Sequence, residues 1–185
     1  MSDSLITKRA LVKTLKELCQ YRNFEKISIN DLTNKCGLNR QTFYYHFQDK
    51  YDLLQWLYYD ELFADIENII TFDNWDQCLL TVIEKIYQEK DFYISTINTN
   101  EQYFYHDLYN LAQKCFYDAI TKLDVNKTVS PQEKNFFSEF YAYGIAGTVL
   151  RWIKTNMKNE PAKLAHGLKK IATQSETFAA SLLNN

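Results

Sequence analysis

A chain of 185 residues with 46% hydrophobic and 24% charged side chains is long enough for one large core or two small cores that share a helix. Its 4 Gly and 2 Pro are too few for the many turns of a β-sandwich or barrel, so we expect an all-α globular protein. The net charge is +4 over residues 1–50 (nine Lys or Arg against five Asp or Glu) and −6 over the remainder (12 against 18), which predicts a basic nucleic-acid-binding head on an acidic body.

The N-terminal segment and the cysteines indicate the setting in which the protein works. Residues 1–13 lack the apolar run of a signal peptide, and no stretch approaches the ~20 apolar residues that span a bilayer. The four cysteines are too far apart for zinc or thioredoxin-like motifs, so we interpret them as reduced core residues. We therefore expect a soluble cytoplasmic protein with no membrane partner, no metal and no cofactor.

Two short helices around a glycine dominate the basic part of the chain. After a first helix over about residues 4–21, Ser28 caps a second helix, with Asp31 three positions later as a capping-box partner. Gly37 supplies the positive φ that a tight turn after this helix needs. Asn39 then caps a third short helix. This helix-turn-helix pattern indicates a DNA reader.

The third helix separates an apolar face from a polar one. Leu38, Phe43 and Phe47 point inward at helical spacing. Arg40 and Gln41 fall in the first turn, where the side chains of a recognition helix meet base edges in the major groove. The outward face is completed by four further side chains: Thr42, Tyr44, Tyr45 and His46. Arginine pairs bidentately with guanine and glutamine with adenine, so this face predicts sequence-specific binding.

The third helix and its flanks resemble the signature of the TetR family of bacterial transcriptional regulators, on the run Arg40-Gln41-Thr42-Phe43-Tyr44-Tyr45-His46-Phe47 followed by Asp49-Lys50 and Leu53-Leu54. The resemblance implies that Arg40 and Gln41 read bases and that Tyr45 lies at the DNA surface. It implies backbone contacts from Thr42, Tyr44, His46 and Lys50. The complete predicted DNA-binding set is Ser28, Asn39, Arg40, Gln41, Thr42, Tyr44, Tyr45, His46 and Lys50.

A fourth helix is predicted to connect the DNA reader to the rest of the chain. Asp49 can cap it, and apolar residues at helical spacing continue it over residues 49–70. At ~1.5 Å per residue it spans roughly 30 Å, so a small tilt at one end moves the reader at the other. We therefore divide the chain into a helix-turn-helix DNA-binding domain, residues 1–48, and a helical regulatory and dimerisation domain, residues 49–185.

Further helices are expected in the second domain. Apolar spacing predicts them over residues 75–89, a short segment that Asp91 caps, and residues 101–123, 131–157 and 162–183. The strongest start is Ser130-Pro131-Gln132-Glu133, because it combines a capping serine, a proline at the first position and a glutamate at the third.

The last two helices are apolar over more surface than one small domain needs, which predicts a homodimer built by a four-helix bundle. Gly144 and Gly147 cost ~1 kcal/mol each against alanine in mid-helix, so we expect another helix to approach closely there. The TetR resemblance implies the same arrangement, in which two heads on successive major grooves read a palindromic operator. The predicted interface comprises Phe137, Tyr141, Gly144, Thr148, Trp152, Ile171 and Phe178.

The sequence favours a ligand cavity in the second domain and offers no catalytic or metal site. The TetR resemblance implies a cavity there, and the aromatic residues suited to line it are Trp56, Tyr59, Phe63, Tyr87, Phe104 and Tyr141. The sequence contains no HExxH, GxSxG or glycine-rich phosphate loop, and its three histidines are sixty positions apart. We therefore predict no catalytic residues, no metal site and no enzyme.

These features together predict a homodimeric TetR-type regulator whose affinity for a palindromic operator is controlled by a small molecule or a partner protein at the C-terminal domain. Within the family, RQTFYYHF followed by LLQWLYYDEL resembles the subgroup that includes activators of dihydroxyacetone-kinase operons, which implies a partner protein as the signal. A metal-responsive regulator is a second alternative. The alternative from a different class is a helical protein-interaction module without sequence-specific DNA binding.

Overall fold

The computed structural model describes the backbone of residues 3–183 and the side chains of residues 4–174. Within that range the chain forms nine α-helices and no β-strand, which confirms the all-α prediction. The helices are α1 (Asp3–Cys19), α2 (Ile29–Cys36), α3 (Arg40–His46), α4 (Lys50–Tyr58), α5 (Trp75–Gln88), α6 (Lys90–Thr99), α7 (Glu101–Leu123), α8 (Pro131–Lys154) and α9 (Pro161–Leu183). We call α1 to α3 the head and α5 to α9 the body.

The head is held together by a small apolar cluster. Leu15, Phe24, Leu32 and Phe43 are each no more than 1% exposed. Phe24 enters this cluster from a 3-10 turn, Phe24–Lys26, that joins α1 to α2. Burying side chains of this size contributes roughly 1.5–3 kcal/mol each, so the cluster fixes α3 against the other two helices.

The start of α2 and the turn between α2 and α3 both have the predicted capping contacts. The Ser28 hydroxyl accepts from the backbone N–H of Asp31 at 3.2 Å, and the Asp31 carboxylate accepts from the Ser28 N–H at 2.9 Å. Gly37 ends α2 at a φ of 69°, a conformation that costs other residues strain. Asn39 Oδ1 accepts from the Thr42 N–H at 2.7 Å and so caps α3. These local contacts set the angle at which α3 leaves α2.

The predicted connector is regular α-helix only in its first half. The Asp49 carboxylate caps α4 as predicted, but α4 ends at Tyr58 and a π-helical turn, Tyr59–Phe63, follows it. In this turn the Ala64 N–H donates to the Tyr59 carbonyl at 2.9 Å. Further turns lead to residue 70, so the prediction of a continuous α-helix over residues 49–70 is wrong. We keep the name connector for α4, the π-helical turn and the turns to residue 70.

The π-helical turn exists because it keeps apolar residues in the core. Leu57 and Tyr58 are fully buried, and a continuing α-helix would place Glu61 next on that buried stripe. The wider turn shifts the register by one residue, so that Leu62 and Phe63 are buried instead. Tertiary burial therefore overrides the local preference for a regular helix.

The middle of the body agrees with prediction in one helix and differs in another. The range of α7 is the predicted one. α6 begins at Lys90, so the prediction that Asp91 caps it is wrong, and Asp91 lies in its first turn. The reason is that Glu89 alone separates α6 from the end of α5, which leaves no room for a capping loop.

The start of α8 confirms the predicted capping box, while its end comes earlier than predicted. The Ser130 hydroxyl accepts from the Glu133 N–H at 3.3 Å. The helix ends at Lys154 rather than at residue 157, because Asn156 and Met157 take positive φ. The body helices then pack through α7 on α8 and α9 on α5, with Phe116 of α7 lying 4.6 Å from Tyr141 of α8 between ring centroids.

Candidate nucleic-acid interface

α3 presents an exposed face of polar and aromatic side chains. Arg40, Gln41, Tyr44 and Tyr45 are all exposed, and Tyr45 is 83% exposed. On the opposite side of the helix Phe43 is fully buried in the head. The fold thus places Arg40, Gln41 and the two tyrosines on one surface of α3, while the opposite side of the helix packs into the core of the head.

Arg40 is oriented by the tyrosine one helical turn later. Arg40 Nη2 donates to Tyr44 Oη at 3.2 Å, and the guanidinium carbon lies 5.7 Å from the centroid of the Tyr44 ring. A side chain held in this way loses less conformational entropy when it binds. The arrangement presents the planar donors of Arg40 in the first turn of α3, where they suit a guanine edge or a phosphate.

Thr42 and His46 lie beside this face and are half-buried. The half-buried Thr42 hydroxyl donates to Asn39 Oδ1 at 2.9 Å. His46 Nδ1 lies 3.5 Å from Ser4 Oγ, and the Tyr45 ring packs edge-on against the imidazole with 4.9 Å between centroids. Asn39 therefore holds the start of α3, and His46 joins its end to α1.

Ser28 lies at the start of α2 and is engaged there. Its hydroxyl donates to the Asp31 carboxylate at 2.7 Å, and Arg22 Nη1 lies 3.2 Å from the same carboxylate. The hydrogen bonds from Ser28 hold the pKa of Asp31 below its usual range. The hydroxyl predicted to contact DNA is thus part of the capping box.

Lys50 is engaged inside the head. Its Nζ donates to the backbone carbonyls of Phe24 at 3.0 Å, Glu25 at 2.7 Å and Ile27 at 3.0 Å. These carbonyls match the three N–H donors of an ammonium group, and burial lowers the pKa of Lys50. The contacts make Lys50 a tie between the start of α4 and the turn that joins α1 to α2. Because its ammonium group points into the head, Lys50 is not part of the exposed face of α3.

A group of charged and polar side chains joins the head to the connector and body. Lys16 Nζ of α1 lies 2.6 Å from Glu61 Oε2 and 2.9 Å from Glu89 Oε2. Tyr93 Oη donates to the same Glu61 oxygen at 2.9 Å, and Lys85 Nζ donates to the Glu61 carbonyl at 2.8 Å. Burial raises the pKa of Tyr93, so its hydroxyl stays a donor. The sequence analysis did not predict this network. Its one signal in the sequence is Glu61, which interrupts the apolar stripe of the connector after Leu57 and Tyr58.

The six residues predicted to line a ligand pocket do not share one cavity. Tyr59 and Phe63 line a cavity of about 180 Å³ beside α7. Phe104 is fully buried in the core. The other three pack against aromatic neighbours in separate places: Trp56 against Phe47, Tyr87 against Trp152, and Tyr141 against Phe116.

The residues predicted for the dimer interface occupy different environments. Four are exposed: Phe137, Gly144, Thr148 and Ile171. Tyr141 is half-buried, and Trp152 is buried with its Nε1 donating to the Asn159 carbonyl at 2.8 Å. The side chain of Phe178 lies outside the described residues.

α8 also exposes large aromatic side chains that the sequence reading did not select. Phe136 and Phe140 are each 68% exposed and Tyr143 is 58% exposed. A β-carbon added at Gly144 or Gly147 would meet no heavy atom within 4 Å. The close helix approach expected at these glycines therefore does not occur within the described part of this single chain.

The described residues include neither a cluster of metal ligands nor a helix that could span a membrane. No three His, Cys, Asp or Glu side chains among them come close enough together to hold a metal ion. The His106 side chain instead contacts its own helix, with Nε2 3.0 Å from Asn110 Nδ2. The described helices also include none that is both long and apolar enough to cross a membrane.

Comparison with known protein families matches two parts of the chain. The model for "Bacterial regulatory proteins, tetR family" matches residues 11–57, which include α2, α3 and most of α4. The model for "Transcriptional regulator C-terminal region" matches residues 73–174, which cover most of the body. The two matches leave only short segments between and beyond them.

One curated protein and two solved structures show the same likeness. The HTH-type dhaKLM operon transcriptional activator DhaS of Lactococcus lactis subsp. lactis (strain IL1403) is 30% identical over 148 residues, which is 78% of each chain. The structure of the dihydroxyacetone kinase operon activator DhaS has a TM-score of 0.69 and 23% identity, covering 92% of this chain and 96% of that one. A TetR transcriptional regulator from Streptococcus agalactiae 2603V has a TM-score of 0.61 and 21% identity, with coverages of 91% and 94%.

The solved structures share the arrangement of a helix-turn-helix head and a helical C-terminal domain, which confirms the predicted fold class. The matched proteins are transcriptional regulators rather than enzymes, in agreement with the sequence reading.

Proposed function

This chain belongs to the TetR family of bacterial regulatory proteins, and from that premise we propose that it binds a palindromic operator as a homodimer through the exposed face of α3. Events in the body set the DNA affinity of the head. The proposed division of the chain lies before α4, with residues 1–48 reading DNA and residues 49–185 responsible for regulation and dimerisation. The proposed site of action is the cytoplasm, because the DNA of a bacterium lies there.

The exposed face of α3 is the observation that carries this proposal. Arg40 and Gln41 stand in the first turn with their side chains exposed, and Tyr44 orients the guanidinium of Arg40. Side chains in that position of a recognition helix reach base edges in the major groove. Arg40 and Gln41 are therefore the proposed base-reading residues.

The remaining residues of the predicted set divide into two groups. Thr42, Tyr44, Tyr45 and His46 lie on or beside the exposed face and are the proposed contacts to the DNA backbone. Ser28, Asn39 and Lys50 are satisfied by capping or carbonyl contacts within the head, so their proposed role is to hold the reader in shape. Their loss would weaken DNA binding through the structure of the head.

The exposed aromatic side chains of α8 support dimerisation. Phe136, Phe137, Phe140 and Tyr143 are all exposed on one helix, and clustered exposed apolar side chains of this kind mark protein–protein contact surfaces. A second copy related by two-fold symmetry would bury this face, and the open space at Gly144 would admit its helix. Two heads so related would read the two halves of a palindrome.

The body is the proposed site of control because the connector links it to α1. Lys16 of α1 forms ion pairs with Glu61 of the π-helical turn and with Glu89, the residue between α5 and α6. A signal that favours one arrangement of this turn by ~1.4 kcal/mol shifts the populations tenfold. The signal is a small molecule or a partner protein.

A second, narrower function is favoured by the likeness to the dihydroxyacetone kinase operon activator DhaS in both sequence and structure. On this reading the chain activates a similar operon, and a partner protein supplies the signal. Binding of the purified protein to DNA upstream of dihydroxyacetone kinase genes, and to no other selected site, would support it.

Selection of bound DNA from a random library tests the main proposal. The purified protein is expected to enrich a palindromic motif at both a low and a higher salt concentration, because base contacts persist where nonspecific phosphate contacts weaken. Enrichment of no motif, with only salt-sensitive weak binding, would favour the helical interaction module that lacks sequence-specific DNA binding.

A further inference from the structure

A cavity of about 180 Å³ lies between the connector and α7. Phe63 and Leu111 are buried in its lining, whereas Asn110 and Lys114 are exposed, so the cavity has an apolar floor and a polar mouth. The wall between them is formed by Tyr59, Glu67 and Asp107. At roughly 30 Å³ per water molecule the volume corresponds to about six waters, which is room for a ligand of about six non-hydrogen atoms.

One carboxylate oxygen in this wall has no partner. Asp107 Oδ2 is shielded from solvent and accepts no hydrogen bond within the described residues. Desolvation raises the pKa of Asp107, His106 opposes the rise and Glu67 adds to it. A shielded carboxylate oxygen without a donor is unfavourable, so a ligand that brings a donor there gains binding energy.

The other polar groups of the cavity favour a cation over a neutral ligand or an anion. The Tyr59 hydroxyl donates to the Glu67 carboxylate, and Asn110 Nδ2 lies 3.0 Å from His106 Nε2. The cavity is lined by two carboxylates, Glu67 and Asp107, and by one ammonium group, Lys114, so acidic side chains outnumber basic ones there. The Tyr59 and Phe63 rings add aromatic surface, which also attracts cations.

Residues of the π-helical turn line the cavity and also belong to the charged network of Lys16, Glu61 and Tyr93 that joins the head to the connector. Tyr59 and Phe63 of this turn line the cavity, while Glu61 between them is bonded to Lys16 and Tyr93. A ligand that displaces either ring therefore acts on the segment that holds α1.

We propose that this cavity binds a small primary amine whose ammonium group donates to Asp107 Oδ2 and whose alkyl chain packs on Phe63 and Leu111. Occupancy changes the geometry of the π-helical turn and, through Glu61 and Lys16, the DNA affinity of the head. The effect on DNA rests on the function proposed above, whereas amine binding does not.

Calorimetric titration of the full-length protein with n-butylamine near neutral pH tests the site, with 1-butanol and glycerol as neutral probes of similar size. The amine is expected to bind about tenfold or more tightly than either alcohol, because its hydrogen bond to Asp107 is charge-assisted. Asp107→Asn should weaken amine binding by a similar factor. Lys114→Gln should strengthen it about two- to fivefold, since it removes a positive charge from the mouth.

Matched controls lie on exposed positions of the same helix. Asp118→Asn and Lys122→Gln should leave amine binding unchanged. Equal affinity for amine and alcohol, absence of amine binding, or unchanged affinity in both cavity variants would overturn the proposal. The opposite sign expected for Lys114→Gln keeps the test decisive should Asp107→Asn fail to fold.

The coupling to DNA is measured separately. n-Butylamine should change the operator affinity of the wild-type protein and have a smaller effect on Glu61→Gln. Amine binding with no change in operator affinity would overturn the regulatory part alone. Failure of the amine-free protein to bind any operator would instead count against the proposed function.

Discussion

Lys16 and Glu61 form an ion pair that joins the head to the connector, with 2.6 Å between Lys16 Nζ and Glu61 Oε2. The two side chains are 19% and 30% exposed, so the pair is partly screened from solvent. Lys16 belongs to α1 and Glu61 to the π-helical turn, so this pair attaches the head to the connector at a second point, beyond the Lys50 contacts at the start of α4. The orientation of the head therefore depends on the geometry of that turn.

Replacement of Glu61 tests this attachment. We expect Glu61→Gln to lower the free energy of unfolding by about 1–2 kcal/mol, because Lys16 and Tyr93 lose a charged partner. Operator affinity should also fall, since α1 is held less firmly. Chemical denaturation and DNA titration measure the two effects, with the exposed Glu84→Gln on α5 as the matched control. Wild-type values for Glu61→Gln in both assays would contradict the role assigned to the pair.

Lys50 distinguishes a structural tie from a phosphate contact. Because its ammonium group donates to three carbonyls of the head, Lys50→Ala should cost about 1–3 kcal/mol of stability. The dependence of DNA affinity on salt should keep its slope. A phosphate contact would instead reduce that slope by about one unit. Lys26→Ala, at an exposed position of the adjoining turn, provides the comparison.

Phe140 tests the proposed dimer face of α8. The side chain is 68% exposed in the protomer, so Phe140→Glu should leave the folded protomer intact and weaken dimerisation. We expect the dimer dissociation constant to rise by about tenfold or more, as measured by sedimentation. Tyr21→Glu changes a residue of the head that is 81% exposed and should have no effect. A dimer of undiminished affinity in Phe140→Glu would place the interface elsewhere.

Asp124 predicts a pH dependence of stability. Its carboxylate lies 3.0 Å from Lys134 Nζ and accepts from the N–H groups of Thr128 at 2.8 Å and Val129 at 3.2 Å. The hydrogen bond from Lys134 and those from the loop lower the pKa of Asp124 to about 2, from an ordinary value of 3.8. The ionised carboxylate therefore stabilises the fold above the ordinary value, and this stability is lost as the pH falls toward 2.

Asp124→Asn should accordingly lower the free energy of unfolding at neutral pH, with a difference from wild type that shrinks below about pH 4. Denaturation curves at several pH values measure this. Asp118→Asn on the exposed side of α7 should show no such trend. A difference that is constant with pH would show that the charge of Asp124 is not the cause.

The head could be predicted in detail because its determinants are local. Ser28, Gly37 and Asn39 act on backbone groups within four residues of themselves, so their types and spacing define the start of α2 and the turn between α2 and α3. The alternation of buried and exposed residues in α3 follows from helical spacing once that turn is set.

The connector and Lys50 could not be predicted in the same way, because their contacts are distant in sequence. The π-helical turn results from competition between a regular helix and the burial of Leu62 and Phe63, which only the packed body decides. Lys50 meets the carbonyls of residues more than twenty positions earlier, and Lys16 meets Glu61 forty-five positions later. The spacing of residues along one helix gives no information about partners that are so distant in the sequence.

Arg40 gives the most direct test of the account that α3 reads DNA. The affinities of wild type, Arg40→Ala and the exposed body control Lys122→Ala are measured by fluorescence anisotropy on a selected operator and on a scrambled duplex. Arg40→Ala should lose about 1–3 kcal/mol on the operator and clearly less on the scrambled duplex, whereas Lys122→Ala should match wild type on both. An equal loss on the two duplexes, or no preference of the wild type for the operator, would contradict the account.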